Sequence, residues 1–180
     1  MDTALLIIIS SIVFVLALWV VVGLRHLSVL QRNVENSWEF VDEKIRVRHD
    51  IAPLLVEIVK DGADGGGGEN VRGTVGKLIE RRGLARATTG ASSEKSEKEF
   101  GYVTTLDNLI QLGRHHPEVL RNHYYLDLKK EFDDLNKDIE NRVEDYNDNV
   151  RLFNGHRNSL VLRPLGVVFR VGMRLEYKVS

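Results

Sequence analysis

"YLDLKKEFDDLNKDIENRVEDYNDNVRLF", residues 125–153, spaces its apolar side chains at intervals of three and four. Tyr125, Leu128, Phe132, Leu135, Ile139, Val143, Tyr146, Val150 and Phe153 therefore fall on one stripe of a helix. A strand, whose side chains alternate at every second residue, cannot gather them on one face. The pattern predicts one long helix, opened by Pro117, whose missing N–H is harmless in a first turn. On the far side lie Lys129, Lys130, Asp133, Asp134, Lys137 and Glu140, a solvated face with spacings suited to weak ion pairs.

A helix with one apolar stripe needs a partner, and the first half of the chain offers one. Leu27, Leu30, Val34, Trp38, Val41, Ile45 and Ala52 form a second stripe at about 100° per residue. Asp50 precedes Pro53 by three residues, a pattern that caps a new first turn and predicts a kink or restart there. Leu54, Leu55, Ile58 and Val59 continue the apolar face until "DGADGGGGEN", where consecutive glycines end the helix. Val71, Val75, Leu78 and Ile79 then recur at helical spacing, weakened by Gly73, Gly76 and Gly83. "TTGASSEKSEKE" reads as a solvated linker, and residues 61–98 as a flexible, glycine-rich to polar insertion. Phe100, Val103, Leu106, Leu109 and Ile110 restore the helical period until Gly113. The expected architecture is all-α, a helical hairpin or bundle with coiled-coil spacing.

Ahead of these helices stands "ALLIIISSIVFVLALWVVVGL", residues 4–24, uncharged and, as a helix, about 30 Å long, the thickness of a bilayer core. Trp19 sits toward the end that meets Arg25 and His26, where amphipathic rings settle. A cleaved signal fits poorly, since only Asp2 precedes the run, the run is too long, and no small-x-small site follows. We read residues 1–24 as a retained anchor in contact with membrane lipid, residues 25–159 as the helical domain, and residues 160–180 as a tail. Arg25, Arg32, Lys44, Arg46 and Arg48 all follow the span, so the positive-inside bias places the N-terminus outside the cell membrane and the domain in the cytoplasm.

Charge and composition exclude several function classes. Asp2 is the only charged side chain before Arg25, which leaves 25 acids against 25 bases beyond the span. A neutral, interspersed surface lacks the basic footprint of a nucleic-acid binder. The bases near the span are mixed with Glu35, Glu39 and Glu43, which argues against a strong lipid-binding patch. Cysteine is absent, so thiolate metal sites and thiol nucleophiles are excluded. "GTVGKL" has the Gly-Lys of a phosphate loop but carries Val71 where its first glycine belongs and Leu78 where its Ser/Thr belongs. His115, His116 and His123 cluster around Pro117 without a recognised ligand spacing. No catalytic residue, cofactor or metal site is predicted.

Three stretches carry a family resemblance. "RNVENSWEFVDEKIRVRHDIAPLLVEIV" presents Asn33, Val34, Trp38, Asp42, Arg48, Asp50, Pro53, Leu55 and Val56. "HPEVLRNHYYLDLKKEF" presents Pro117, Asn122, Tyr125, Leu128, Glu131 and Phe132, and "DIENRVEDYNDNVRLFN" presents Ile139, Tyr146, Asn147, Val150 and Asn154. Together they resemble the LemA family, and the resemblance implies a membrane-anchored antiparallel helical bundle of unestablished biochemical role. The sequence departs from the family pattern at Leu54, where an asparagine is usual, and at Asn136 and Val143, where a glutamate and an arginine are usual. The tail and the middle segment match least.

Seven residues stand out as candidate structural or partner contacts: Trp38, Asp42, Arg48, Pro53, Tyr146, Asn147 and Asn154. Asp42 and Arg48 fall on opposite flanks of the first stripe, so each reaches a neighbouring helix and not the other. Asn136, Asn147 and Asn154 line one flank of the last helix, where poor helix formers ask for a hydrogen-bonding partner and predict an inter-helix ladder. The reading is a non-enzymatic scaffold or adaptor acting through a protein partner or a second copy. Its rivals are a metal- or small-ligand-dependent enzyme built on His115, His116 and His123, and an envelope-facing accessory protein. Val161, Leu162, Leu165, Val167, Val168 and Phe169 make the tail adhesive, with three destinations open to it: the bundle, the bilayer surface, or another protein.

Overall fold

The computed structural model describes residues 3–63 and 68–178, and no strand occurs among them. Six helices follow in order: α1 (Thr3–Ala63), α2 (Gly68–Ala87), α3 (Ser93–Gly113), α4 (Pro117–Arg121), α5 (His123–Asn158) and α6 (Arg163–Val168). The chain is all-α, and its long helices pack on one another. It divides into two compact units, Met1–Asn36 with Asp148–Leu175, and Ser37–Asn147 with Glu176–Ser180.

In the second unit the helices alternate in direction. Trp38 meets Tyr146, Lys44 pairs with Asp138 and Arg48 reaches Asn136, so α1 and α5 run antiparallel. Asp42 with Lys95, then Arg48 with Glu99, set α1 and α3 parallel. Arg81 donates to the Gly101 carbonyl while Lys95 donates to that of Thr88, which makes α2 and α3 antiparallel. The short connections of an up-down bundle impose this order. The seven stripe residues of α5 from Tyr125 to Tyr146 are buried here, and Val150 and Phe153 are buried in the first unit. Val41, Ile45, Leu55, Val59, Leu106 and Leu109 close the core from α1 and α3.

Four local expectations are revised. The helix does not break near Pro53, which lies inside α1. Proline removes the N–H that would bond the carbonyl four residues earlier, here that of His49. Arg82 of α2 supplies the missing donors, its Nε and Nη2 lying 3.1 and 2.8 Å from the His49 carbonyl oxygen. Pro117 opens only the short α4, and α5 starts afresh at His123, where the Asn122 side chain caps the Tyr125 N–H at 3.2 Å. Ile79 and Phe100, expected on the core side, are 67% and 46% exposed, because Leu78 and Glu99 take the inward positions. The expected polar linker is helical from Ser93, with Ser92 as its N-cap, and Lys95, Ser96 and Glu99 are buried. Part of the glycine run, residues 64–67, lies outside the described residues.

In the first unit α1 opens with the apolar run, residues 3–18 of which are all exposed. This is the one helix among the described residues long and apolar enough to cross a membrane. Leu162 and Leu165 pack on Leu27, Trp19, Val20 and Leu24 of the same unit. Gly23 allows that approach, since a Cβ there would sit 2.4 Å from Leu165 Cδ1.

Candidate functional site

The polar residues of the second unit meet where α1, α3 and α5 adjoin. Arg48 is 4% exposed, an expensive place for a charge unless it is paired. Its Nη2 donates to Glu99 Oε2 at 2.8 Å and its Nη1 to Asn136 Oδ1 at 3.3 Å. His49 Nε2 lies 3.0 Å from Glu99 Oε1, so both carboxylate oxygens are engaged. The His49 ring also stacks on Tyr102 at 4.4 Å between centroids. Burial opposes ionisation of Glu99, but the hydrogen bonds and charges of His49 and Arg48 outweigh it and hold the carboxyl below its ordinary range. Burial pushes the Tyr102 hydroxyl up to about 12.

Nearly two turns earlier on α1, Asp42 accepts from Lys95 Nζ at 2.9 Å and from Arg46 Nη2 at 2.5 Å. Burial again works against the charge, and again the two cations prevail, so Asp42 titrates below its ordinary range. Lys95 is only 5% exposed and donates as well to the Thr88 carbonyl at 3.2 Å. Its ammonium stands 6.0 Å above the half-buried Trp38 ring. That ring makes edge-to-face contacts with Tyr146 at 5.4 Å and Tyr177 at 5.0 Å.

The asparagines find backbone. In the second unit Asn147 holds Tyr177 by two 2.8 Å bonds, accepting from its N–H and donating to its carbonyl. Ser96 Oγ donates to the Lys178 carbonyl. In the first unit Asn154 grips Arg174 in the same manner, at 2.8 and 3.0 Å, and Arg157 Nε donates to the Val171 carbonyl at 2.9 Å. The predicted ladder between helices is thus replaced, for Asn147 and Asn154, by an extended tail whose unpaired backbone they satisfy. Asn136 alone of the three reaches a helix.

The structure therefore brings Trp38, Tyr146 and Asn147 together through Tyr177. It gives Asp42 and Arg48 separate partners on α3, places Pro53 on the exposed side of α1 above the Arg82 bond, and puts Asn154 in the other unit. His49, Arg82, Lys95, Ser96, Glu99, Tyr102 and Tyr177 belong to the site without having been singled out. Their signal was present, because Lys95, Glu99, Tyr102, Leu106 and Leu109 keep intervals of four, three, four and three. Reading that stripe from apolar residues alone stopped it too early.

Chemically the arrangement is closed. Arg48, Ser96, Glu99 and Tyr177 line a cavity of about 20 Å³, room for one water. Arg48 lines that cavity, and its Nε is buried without a protein partner, as are His49 Nδ1 and the Tyr102 hydroxyl elsewhere in the cluster. His115 and His116 occupy the α3–α4 turn and His123 the first position of α5. Among the described residues no three His, Asp or Glu side chains are grouped so as to hold a metal ion.

No curated protein matches the chain. The model of the LemA family matches residues 37–173, a span that takes in the buried polar cluster, the whole of α2 to α6 and the tail as far as Met173. With well over half of its length matched, the chain belongs to the LemA family.

Proposed function

We propose that the protein is a single-pass membrane scaffold or adaptor, with its bundle on the cytoplasmic side, acting by contact with another protein and not by catalysis. One observation carries this reading: the side chains suited to chemistry, Asp42, Arg48, His49, Lys95 and Glu99, are spent on one another, and the cavity beside Arg48 and Glu99 is no larger than a water. Outside, Leu84 and Phe100 are 49% and 46% exposed beside a groove lined by Arg81, Glu94, Glu97 and Lys98. An apolar pair rimmed by charges of both signs has the composition of a protein-contact surface. The exposed apolar run of α1 supports the anchor, and the bases that follow it support the orientation.

Gentle detergent extraction of the full-length protein from its native membrane tests the reading. The wild type should migrate well above its 20.5 kDa mass, and the L84E/F100E variant should fall to the monomer position with its helical circular dichroism unchanged. A wild type that migrates alone, and gains nothing on cross-linking, would defeat the scaffold. A C-terminal reporter fluorescent only in the cytoplasm should light up; a dark fusion with an active periplasmic-type reporter would favour the envelope-facing alternative.

A further inference from the structure

Residues 160–169 present a problem that the bundle does not solve. Leu160 is 93% exposed, Val161 61%, Val167 62%, Val168 72% and Phe169 50%, a run too apolar to face water without a partner. The segment is nevertheless fixed in place. Leu162 and Leu165 are buried against Trp19, Leu24 and Leu27, with Leu165 filling the space over Gly23. That is the end of the apolar run of α1, one helical turn from Arg25. The exposed apolar surface of the segment is continuous with that of α1, since Val15, Leu18 and Val22 share one trough with Val161 and Leu162.

Charge points the same way. From Asn149 to Leu175 there is no aspartate or glutamate, while Arg151, Arg157, Arg163, Arg170 and Arg174 all occur. On α1 the first acid beyond Thr3 is Glu35, and it is taken by Arg174 at 2.9 Å. Arg25, Arg163 and Arg170 are exposed. The mixing of bases with acids that argued against lipid binding along α1 is thus reversed by the fold, which adds an acid-free, arginine-rich segment to the same end of the same unit.

We propose that residues 160–169 are a second membrane-contacting element. They wedge Leu160, Val161, Val167, Val168 and Phe169 among the acyl chains of one leaflet, and Arg25, Arg163 and Arg170 meet the phosphates of anionic phospholipid there. Apolar side chains below and arginines at headgroup level are the composition of an interfacial segment. The inference rests on reading α1 as the bilayer span, and the test separates the two.

The chain has no cysteine, so single nitroxide labels can be placed at will on the full-length protein. L160C and V168C report the wedge, F14C the span and D134C the water phase. The protein is reconstituted in phosphatidylcholine vesicles with and without a minority of phosphatidylglycerol, and relaxation by oxygen is compared with relaxation by a water-soluble nickel chelate. The labels at 160 and 168 should resemble that at 14, severalfold more accessible to oxygen than to nickel. Phosphatidylglycerol should increase the difference, and R163Q/R170Q should abolish that increase. Labels at 160 and 168 as open to nickel as that at 134, with 14 still protected, would overturn the wedge and leave the span intact. Nickel access at 14 would overturn both. Protection from both reagents would mean burial in protein, a second copy included, and would overturn the wedge. Immersion indifferent to phosphatidylglycerol and to the arginine replacement would overturn the phosphate contacts.

Discussion

Glu99→Gln should destabilise the folded protein by about 3–5 kcal/mol, the cost of leaving one member of a buried pair charged and alone. The carboxylate is 4% exposed and accepts from both Arg48 and His49. The amide keeps its shape but offers one acceptor where two are used, and turns a donor toward a donor. Urea unfolding of the full-length protein in a fixed detergent, followed by helical circular dichroism, measures the loss. Replacing both partners, as R48M/E99L, should cost less than either single change of the pair, because neither a lone guanidinium nor a lone carboxylate remains buried. Strictly additive effects would mean that Arg48 and Glu99 do not sustain one another.

The same variant has a signature in acid. The folded-state pKa of Glu99 lies below its ordinary value of 4.5, so the unfolded chain binds the proton more readily than the folded one. The stability that this group confers is complete above 4.5 and is lost as the pH falls through that value toward the folded-state pKa. Asp42 behaves in the same sense, held down by Lys95 and Arg46. Wild type should therefore lose stability on acidification below 4.5 with a steeper slope than E99Q, whose amide does not titrate.

Arg82→Met should cost about 1.5–3 kcal/mol, as expected for a charged donor withdrawn from a buried acceptor. The acceptor is the His49 carbonyl, which Pro53 deprives of its helical partner. The dependence on proline makes the claim specific. In a P53A background the N–H of residue 53 is restored, the carbonyl regains its bond within α1, and the penalty for R82M should drop below about 1 kcal/mol. An equal penalty in both backgrounds would show that Arg82 acts through something else, such as its weak approach to Asp50 at 4.0 Å.

These two sites mark the boundary of what the sequence makes legible. The α5 stripe could be read from end to end because each of its nine positions obeys the helical period with an apolar side chain, and each is buried. The long apolar helix ahead of the bundle was legible for the same reason, its length and lack of charge being local properties. Pro53 was not, because the donor that rescues its helix comes from α2, far along the chain, and nothing near the proline announces it. The start of α3 was misread as linker for a related reason. Lys95 and Glu99 are poor core residues until Asp42 and Arg48, more than fifty residues upstream, are brought to them. The asparagine flank showed that a polar partner was needed without showing that it would be the extended tail.

Polar side chains in the first turns of α3 are fasteners packed against α1, in a segment whose composition is that of a mobile linker. Hydrogen exchange of the full-length protein at neutral pH tests this most directly. Amides of residues 97–102 should exchange at least about 100-fold more slowly than those of the 88–92 turn, since opening them requires separating α3 from the core. Exchange across 97–102 as fast as in the turn would mean that these side chains do not fasten α3 to α1.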